Sequence, residues 1–241
     1  MKILSVLALT ASVVTAAPYV GLSIGFSTMK DNLKFSGHDG EGLGQDLIIH
    51  KFSHNKNSRL NTLAFGLLGG YSFKLNDKVS LLAEADFTLA SKKKTLAKFD
   101  AHPNGDIMKD VEISTRRKHS FGFMPAASYN FTDKVSGLVG LRLNCTKHEV
   151  TGHITNNDSG DNELVKGSKH VMGVEPTVGL GFKVSDKMAT RLTVGYNLGK
   201  KTTIVKQVVT NTPQLRENES SGQITIKPRG VNVRLAMTYS F

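Results

Sequence analysis

"FKLNDKVS", residues 73–80, is the phrase on which the reading of this chain turns, because variants of it return as "NFTDKVS" at 130–136 and "FKVSDKMA" at 182–189. Asp77, Asp133 and Asp186 stand 56 and 53 residues apart, and 55 more lead from Asp186 to Phe241. Recurrence at such a spacing marks repeated supersecondary units. Each phrase places Asn76, Thr132 or Ser185 directly before its Asp. Short polar side chains of this kind bond their own backbone and favour tight turns.

Outward from each turn the chain alternates with period two, the signature of strands. Before the first turn Leu63, Phe65, Leu67, Tyr71, Phe73 and Leu75 share a face; after it come Val79, Leu81, Ala83, Ala85, Phe87 and Leu89. The second turn is flanked by Phe121, Phe123, Tyr129 and Phe131, then Val135, Val139, Leu141 and Leu143. The third lies between Val174, Val178, Leu180 and Phe182 and the run Leu192, Val194, Tyr196 and Leu198. Val20, Leu22, Ile24 and Phe26 open the series, and "VNVRLAMTYSF" at 231–241 closes it. The pattern predicts eight strands, joined by tight turns at 76–78, 132–134 and 185–187 and by long polar connections near 31–58, 92–116, 151–169 and 203–223. Pro125 and Pro176 interrupt the alternation, and local bulges are expected there, because Pro removes a ladder hydrogen bond.

The N-terminus has a different character. Lys2, the apolar run Ile3–Val14 and a small-residue site ending at Ala16 have the make-up of a secretory signal peptide, too short to span a membrane. Residues 1–16 are therefore set aside, and 17–241 form the expected domain. The single cysteine, Cys145, rules out an intramolecular disulfide, so another constraint must hold the fold.

The two strand faces decide between a membrane barrel and a soluble one. One face carries large apolar residues throughout; the other carries Gly, Ser, Ala, Thr and charges. A soluble, lipocalin-like barrel would turn the apolar face inward around a ligand cavity. A face so rich in small residues is a poor exterior for eight long strands but a good filling for a narrow lumen. The expected fold is thus all-β, an eight-stranded antiparallel up-and-down transmembrane barrel with short periplasmic turns and long extracellular loops.

The signal segment, the eight amphipathic strands, the three short turns and the terminal "LAMTYSF" resemble the small outer-membrane β-barrel superfamily, which includes the opacity-type surface proteins and the transmembrane part of outer membrane protein A. The resemblance covers residues 17–241 and is architectural. It implies location in the outer membrane of a Gram-negative bacterium. It also implies that Leu235, Met237, Tyr239 and Phe241 form the signal read by the barrel-assembly machinery.

Inward parity gathers Glu84, Asp86 and Glu175 with Arg142, Arg191 and Arg234, and adds Lys74 and Lys183. Charges inside a narrow barrel must pair, and Arg suits this through its forked donors. Such a network is either a structural plug or the gate of a narrow porin; eight strands leave an interior that side chains largely fill, which favours the plug. The chain offers no nucleophile with an adjacent base: none of its eight His stands two residues before a Ser, so no enzymatic activity, cofactor or metal is expected. Formal net charge is +11, concentrated in Lys92, Lys93, Lys94, Arg116, Arg117 and Lys118 at the two feet of one loop. These are expected to meet anions at the outer rim, such as lipopolysaccharide or an acidic host-surface or matrix ligand, rather than nucleic acid. The functional expectation is a monomeric, non-enzymatic surface protein with adhesin, surface-antigen or envelope-structural character; the alternatives are a narrow porin and, more weakly, a soluble ligand-binding barrel.

Overall fold

The alternating segments pair into one closed antiparallel sheet. The computed structural model describes residues 15–41, 48–90, 93–101, 109–156, 162–205 and 221–241. The strands are β1 (Thr15–Glu41), β2 (Ile48–Lys74), β3 (Val79–Ala90), β4 (Lys93–Ala101), β5 (Lys109–Asn130), β6 (Val135–Asn156), β7 (Asn162–Lys183), β8 (Met188–Gly199), β9 (Thr202–Val205) and β10 (Ser221–Ser240). β4 prolongs the crossing of β3 and β9 that of β8, so the described residues make eight crossings. Each crossing pairs with its neighbours, and β10 returns to β1 from Tyr19↔Ser240 to His38↔Ser221, which closes the barrel.

The register fixes the strand tilt. Aligned partners run from Val79 through Tyr129, Gly137, Leu180, Leu192, Leu235, Ile24 and Phe65, and they return to β3 at Leu89, ten residues further on. A stagger of this size over eight strands tilts them by roughly 35–45° from the barrel axis and leaves an interior just wide enough for side chains.

The turns behave as their sequence dictates. Asn76 Oδ1 accepts from the Lys78 and Val79 amides at 2.9 and 2.8 Å, and Thr132 Oγ1 from Lys134 and Val135 at 3.2 and 3.0 Å. Ser185 Oγ accepts from the Met188 amide at 3.1 Å. Lys74 and Lys183 are corrected by the structure: they do not join the lumen charges but lie exposed at the short-turn end. There they pair with Asp77 and Asp186, each at 2.8 Å. The first and third phrases are therefore turns with their own ion pair, and the lysine holds each of these two carboxyls below the usual carboxylate range.

One expectation falls outside the described residues, and two further differences from the sequence reading have clear causes. The apolar run 3–14 lies outside the described residues, while Thr15 and Ala16 extend β1 against Lys74 and Phe73. The long connections are carried largely by strand, β1 running to Glu41 and β2 starting at Ile48, β6 running to Asn156 and β7 starting at Asn162. Pro125 and Pro176 sit at no bulge. Each pairs in register on one side (Ala83↔Pro125, Leu141↔Pro176), so the missing N–H opens the ladder on the other side alone. The ladder resumes there without a slip, Phe123↔Leu143 before Ala126↔Gly140 and Val174↔Leu198 before Thr177↔Gly195.

Outward, the large residues of the alternating face form a continuous apolar band, with Tyr71, Tyr129, Phe131, Phe182, Tyr239 and Phe241 exposed at its short-turn edge. About ten tilted residues per crossing give a band close to the roughly 25 Å height of outer-membrane barrels. Beyond the band the pattern inverts. Met29, Leu60, Val150, Val171, Ile224 and Ile226 face inward and are buried, while Lys30, Arg59 and Arg229 face outward and are exposed. Leu192 lies outward within the band, and Ser168 lies outward beyond it, opposite Glu149. Leu192→Arg should cost about 2–4 kcal/mol of folding into lipid vesicles. Ser168→Arg should cost almost nothing; equal losses in the two vesicle titrations would contradict the band.

Candidate functional site

The lumen residues converge because parity sends them inward from adjacent strands. Glu84 and Asp86 come from β3, Arg142 from β6, Glu175 from β7, Arg191 from β8 and Arg234 from β10. The structure brings all six together. Arg142 Nε donates to Asp86 Oδ2 at 2.7 Å and its Nη2 to Asp86 Oδ1 at 2.5 Å, a two-pronged contact; its Nη1 reaches Glu175 Oε2 at 3.4 Å. Arg191 Nη2 donates to Glu84 Oε2, and Arg234 Nη1 lies 3.7 Å from Asp86 Oδ2. Arg142 is 2% exposed and Glu84 0%, so both depend on these partners for charge compensation. Three carboxylates face three guanidinium groups, which makes the network neutral.

Neutral side chains complete it. The Tyr19 hydroxyl donates to Glu84 Oε2 at 3.0 Å, Asn232 Nδ2 to Glu175 Oε2 at 2.6 Å, and Thr88 Oγ1 to Asp86 Oδ1 at 3.2 Å. One layer further from the turns, Asn144 Nδ2 donates to Asn197 Oδ1 at 2.8 Å. Below the charges Tyr19, Leu68 and Ala236 pack as one apolar cluster and Met124, Ala126 and Leu138 as another, with Leu82 touching both. Glycines make the room. A Cβ at Gly122 would strike Asp86 and the Arg142 guanidinium, and one at Gly195 would come within 2.6 Å of Glu175 Oε1. Tyr19, Asn144, Asn197 and Asn232 were not singled out from the sequence, although their inward parity was readable.

A second closure lies nearer the long hairpins. The β5–β6 register slips by one residue between Arg117↔His148 and Ser120↔Thr146. This bulge reverses the parity of β5 above it. Arg117, expected at the anion-contacting rim, is therefore corrected to a lumen residue. It is 5% exposed, and its Nη1 donates to Ser27 Oγ at 3.2 Å and lies 3.7 Å from Met29 Sδ. Its neighbour His148 is also buried, and Nδ1 makes no hydrogen bond. His148 lies beyond the apolar band, where burial and then the Arg117 charge hold its imidazole far below the ordinary range, at about 3. The inward Met29, Leu60, Val150, Val171 and Ile226 surround this level.

The other rim residues divide. Arg116 is exposed, and Lys118 pairs outward with Glu149 at 2.5 Å, which lowers the Glu149 carboxyl from its usual range. Lys93 and Lys94 lie on β4 opposite Arg116 and Thr115; Lys92 lies outside the described residues. Leu235, Met237 and Tyr239 face outward on β10 and Phe241 follows it, exposed, with the Tyr239 and Phe241 rings edge to face at 5.4 Å. Among the described residues no group of three His, Cys, Asp or Glu side chains is placed to hold a metal.

Three solved structures are similar to this chain in fold. Neisserial surface protein A is similar over 86% of this chain and 96% of its own, at 12% identity and a TM-score of 0.33. The attachment invasion locus protein Ail of Yersinia pestis is similar over 89% of this chain and 97% of its own, at 10% identity and a TM-score of 0.30. The translocator domain of the autotransporter NalP from Neisseria meningitidis covers 92% of this chain and 88% of its own, at 11% identity and a TM-score of 0.30. No protein-family model matches the sequence, and no curated protein matches it.

Arg142→Ala leaves Asp86 and Glu175 buried without their main cation. Stability against urea in lipid vesicles should fall by about 3–5 kcal/mol. His148 is neutral in the fold, so its contribution is complete above the ordinary histidine pKa near 6.5 and is lost as pH falls toward about 3. The urea midpoint should therefore fall across that window, and His148→Gln should flatten the dependence.

Proposed function

We propose that this chain is an outer-membrane barrel of a Gram-negative bacterium, exported by its N-terminal segment, that acts as a non-enzymatic surface protein. The lumen carries this reading. A neutral ionic network fills one level and an apolar core with Arg117 and His148 fills another, which leaves transport little room and puts recognition on the exterior. In this orientation the three tight turns face the periplasm and the long hairpins project outward from a rigid base, where recognition tends to reside. An adhesin or surface-antigen role suits that geometry better than a narrow porin. The outward Leu235, Met237 and Tyr239 of the closing strand and the exposed Phe241 after it suit recognition by the barrel-assembly machinery. Because the described strands pair all the way round at the level of the apolar band, no edge there asks for a second copy, which supports a monomer.

Two measurements test the reading. In planar bilayers the folded protein should carry no steady current, whereas a large stable current would favour the porin. Removing residues 95–113 should preserve the heat-modifiable gel mobility of the barrel and reduce binding to host cells or matrix. Unchanged binding by the shortened protein would overturn the adhesin role.

A further inference from the structure

His119 of β5 and His170 of β7 lie two strands apart on the outward face, at the upper edge of the apolar band. Sheet spacing puts these two strands roughly 10 Å apart. Their imidazole rings nevertheless approach to 5.9 Å between centres, tilted by 51°. Both rings therefore lean over β6. The bulge that turns Arg117 inward leaves Lys118 and His119 together opposite Lys147, the aligned partner of His170. Such a bulge bends its strand and re-aims the side chains beside it. Phe87 of β3 and Phe121 of β5 pack against the His119 ring at 6.1 and 5.8 Å, the second contact edge to face.

That separation suits a shared metal ion. Metal–imidazole bonds are about 2.0–2.1 Å long, so two rings on one ion stand roughly 5 Å apart at a tetrahedral angle and about 6 Å apart when collinear. The observed 5.9 Å falls within this range. Cys145 lies one outward position below Lys147, but among the described residues it completes no group of three donors with the histidines. Two imidazoles alone leave coordination positions for water or for a donor from outside, which makes a bound ion exchangeable. Two cations share this face. The Lys118 ammonium is engaged by Glu149 at 2.5 Å. Lys147 stands between the two histidine strands, and its charge opposes a metal.

We propose that His119 and His170 form a two-imidazole site on the barrel exterior for one exchangeable divalent transition-metal ion, of the Cu2+ or Zn2+ class that imidazole favours. The site needs the closed sheet and its bulge, and it is independent of the surface-protein role. Joining two donors on one rigid sheet makes the second bond intramolecular, which strengthens binding at least about a hundredfold over a single imidazole.

The test titrates Cu2+ into the full chain folded in phosphatidylcholine nanodiscs. Electron paramagnetic resonance counts the nitrogen ligands, and competition with a chelator gives the affinity. The parent should show a component split by two imidazole nitrogens. His119→Asn and His170→Asn should each leave a single nitrogen and weaken that component about a hundredfold. His50→Asn with His54→Asn, the pair four residues apart in the sequence, should leave it unchanged. Lys147→Gln removes the opposing charge and should tighten binding severalfold. Heat-modifiable mobility reports whether each variant is folded; if the histidine variants are not, Lys147→Gln decides, and unchanged or weaker binding there would overturn the site. A two-nitrogen component that survives either histidine variant, or that the His50 and His54 control removes, would place the metal elsewhere and overturn it. A parent without that component would reduce the pair to ring packing and overturn it as well.

Discussion

In hydrocarbon a backbone N–H or C=O without a partner costs several kcal/mol, and that constraint organises this molecule. A sheet meets it only by having no edge. The pairing of β1 with β10 is thus the contact on which the rest depends, and it runs from Tyr19↔Ser240 to His38↔Ser221. Closure over eight strands with a ten-residue stagger leaves a lumen of fixed, small bore. Its contents follow. Glycines at 122 and 195 admit the charged side chains, three acids meet three arginines, and Asn232 donates to Glu175. Pro125 and Pro176 are tolerated because each opens its ladder on one side while the other side holds register.

The same strands then solve a different problem beyond the band. With water outside, they carry polar and basic residues outward and place Met29, Leu60, Val150 and Ile226 inward, as a soluble barrel does. One continuous sheet is thus apolar-out over one length and apolar-in over the next. That inversion stiffens the bases of the hairpins and seals the lumen a second time. It also places cations such as Lys30 and Arg229 at the level where a membrane's headgroups would lie.

Much of this was legible in the sequence, for identifiable reasons. Period-two alternation and the Asx-type turns depend on local chemistry, so the eight crossings, their facing and the turn positions at Asn76, Thr132 and Ser185 could be read directly. Inward parity likewise identified the six charges of the network. Parity fails wherever the count of residues changes. One bulge between Arg117 and Ser120 moved Arg117 from the rim to the lumen, and nothing in "RRKHS" announces it. Lys74 and Lys183 have inward parity but sit at the barrel's end, where the nearby turn aspartates attract them. Leu60, Val150 and Ile226 fall just outside the stretches read as loop, and polar residues beside each hide the inverted pattern, although alternation continues through them.

The central claim is that the exposed apolar face of this sheet contacts lipid. The chain contains no Trp, so one introduced at Phe123 would be the sole indole reporter, placed outward on β5 within the band. Its fluorescence after folding into vesicles with brominated acyl chains tests the claim directly. Strong quenching by the brominated chains with little quenching by aqueous acrylamide is the expected result; strong acrylamide quenching without a bromine effect would contradict the account.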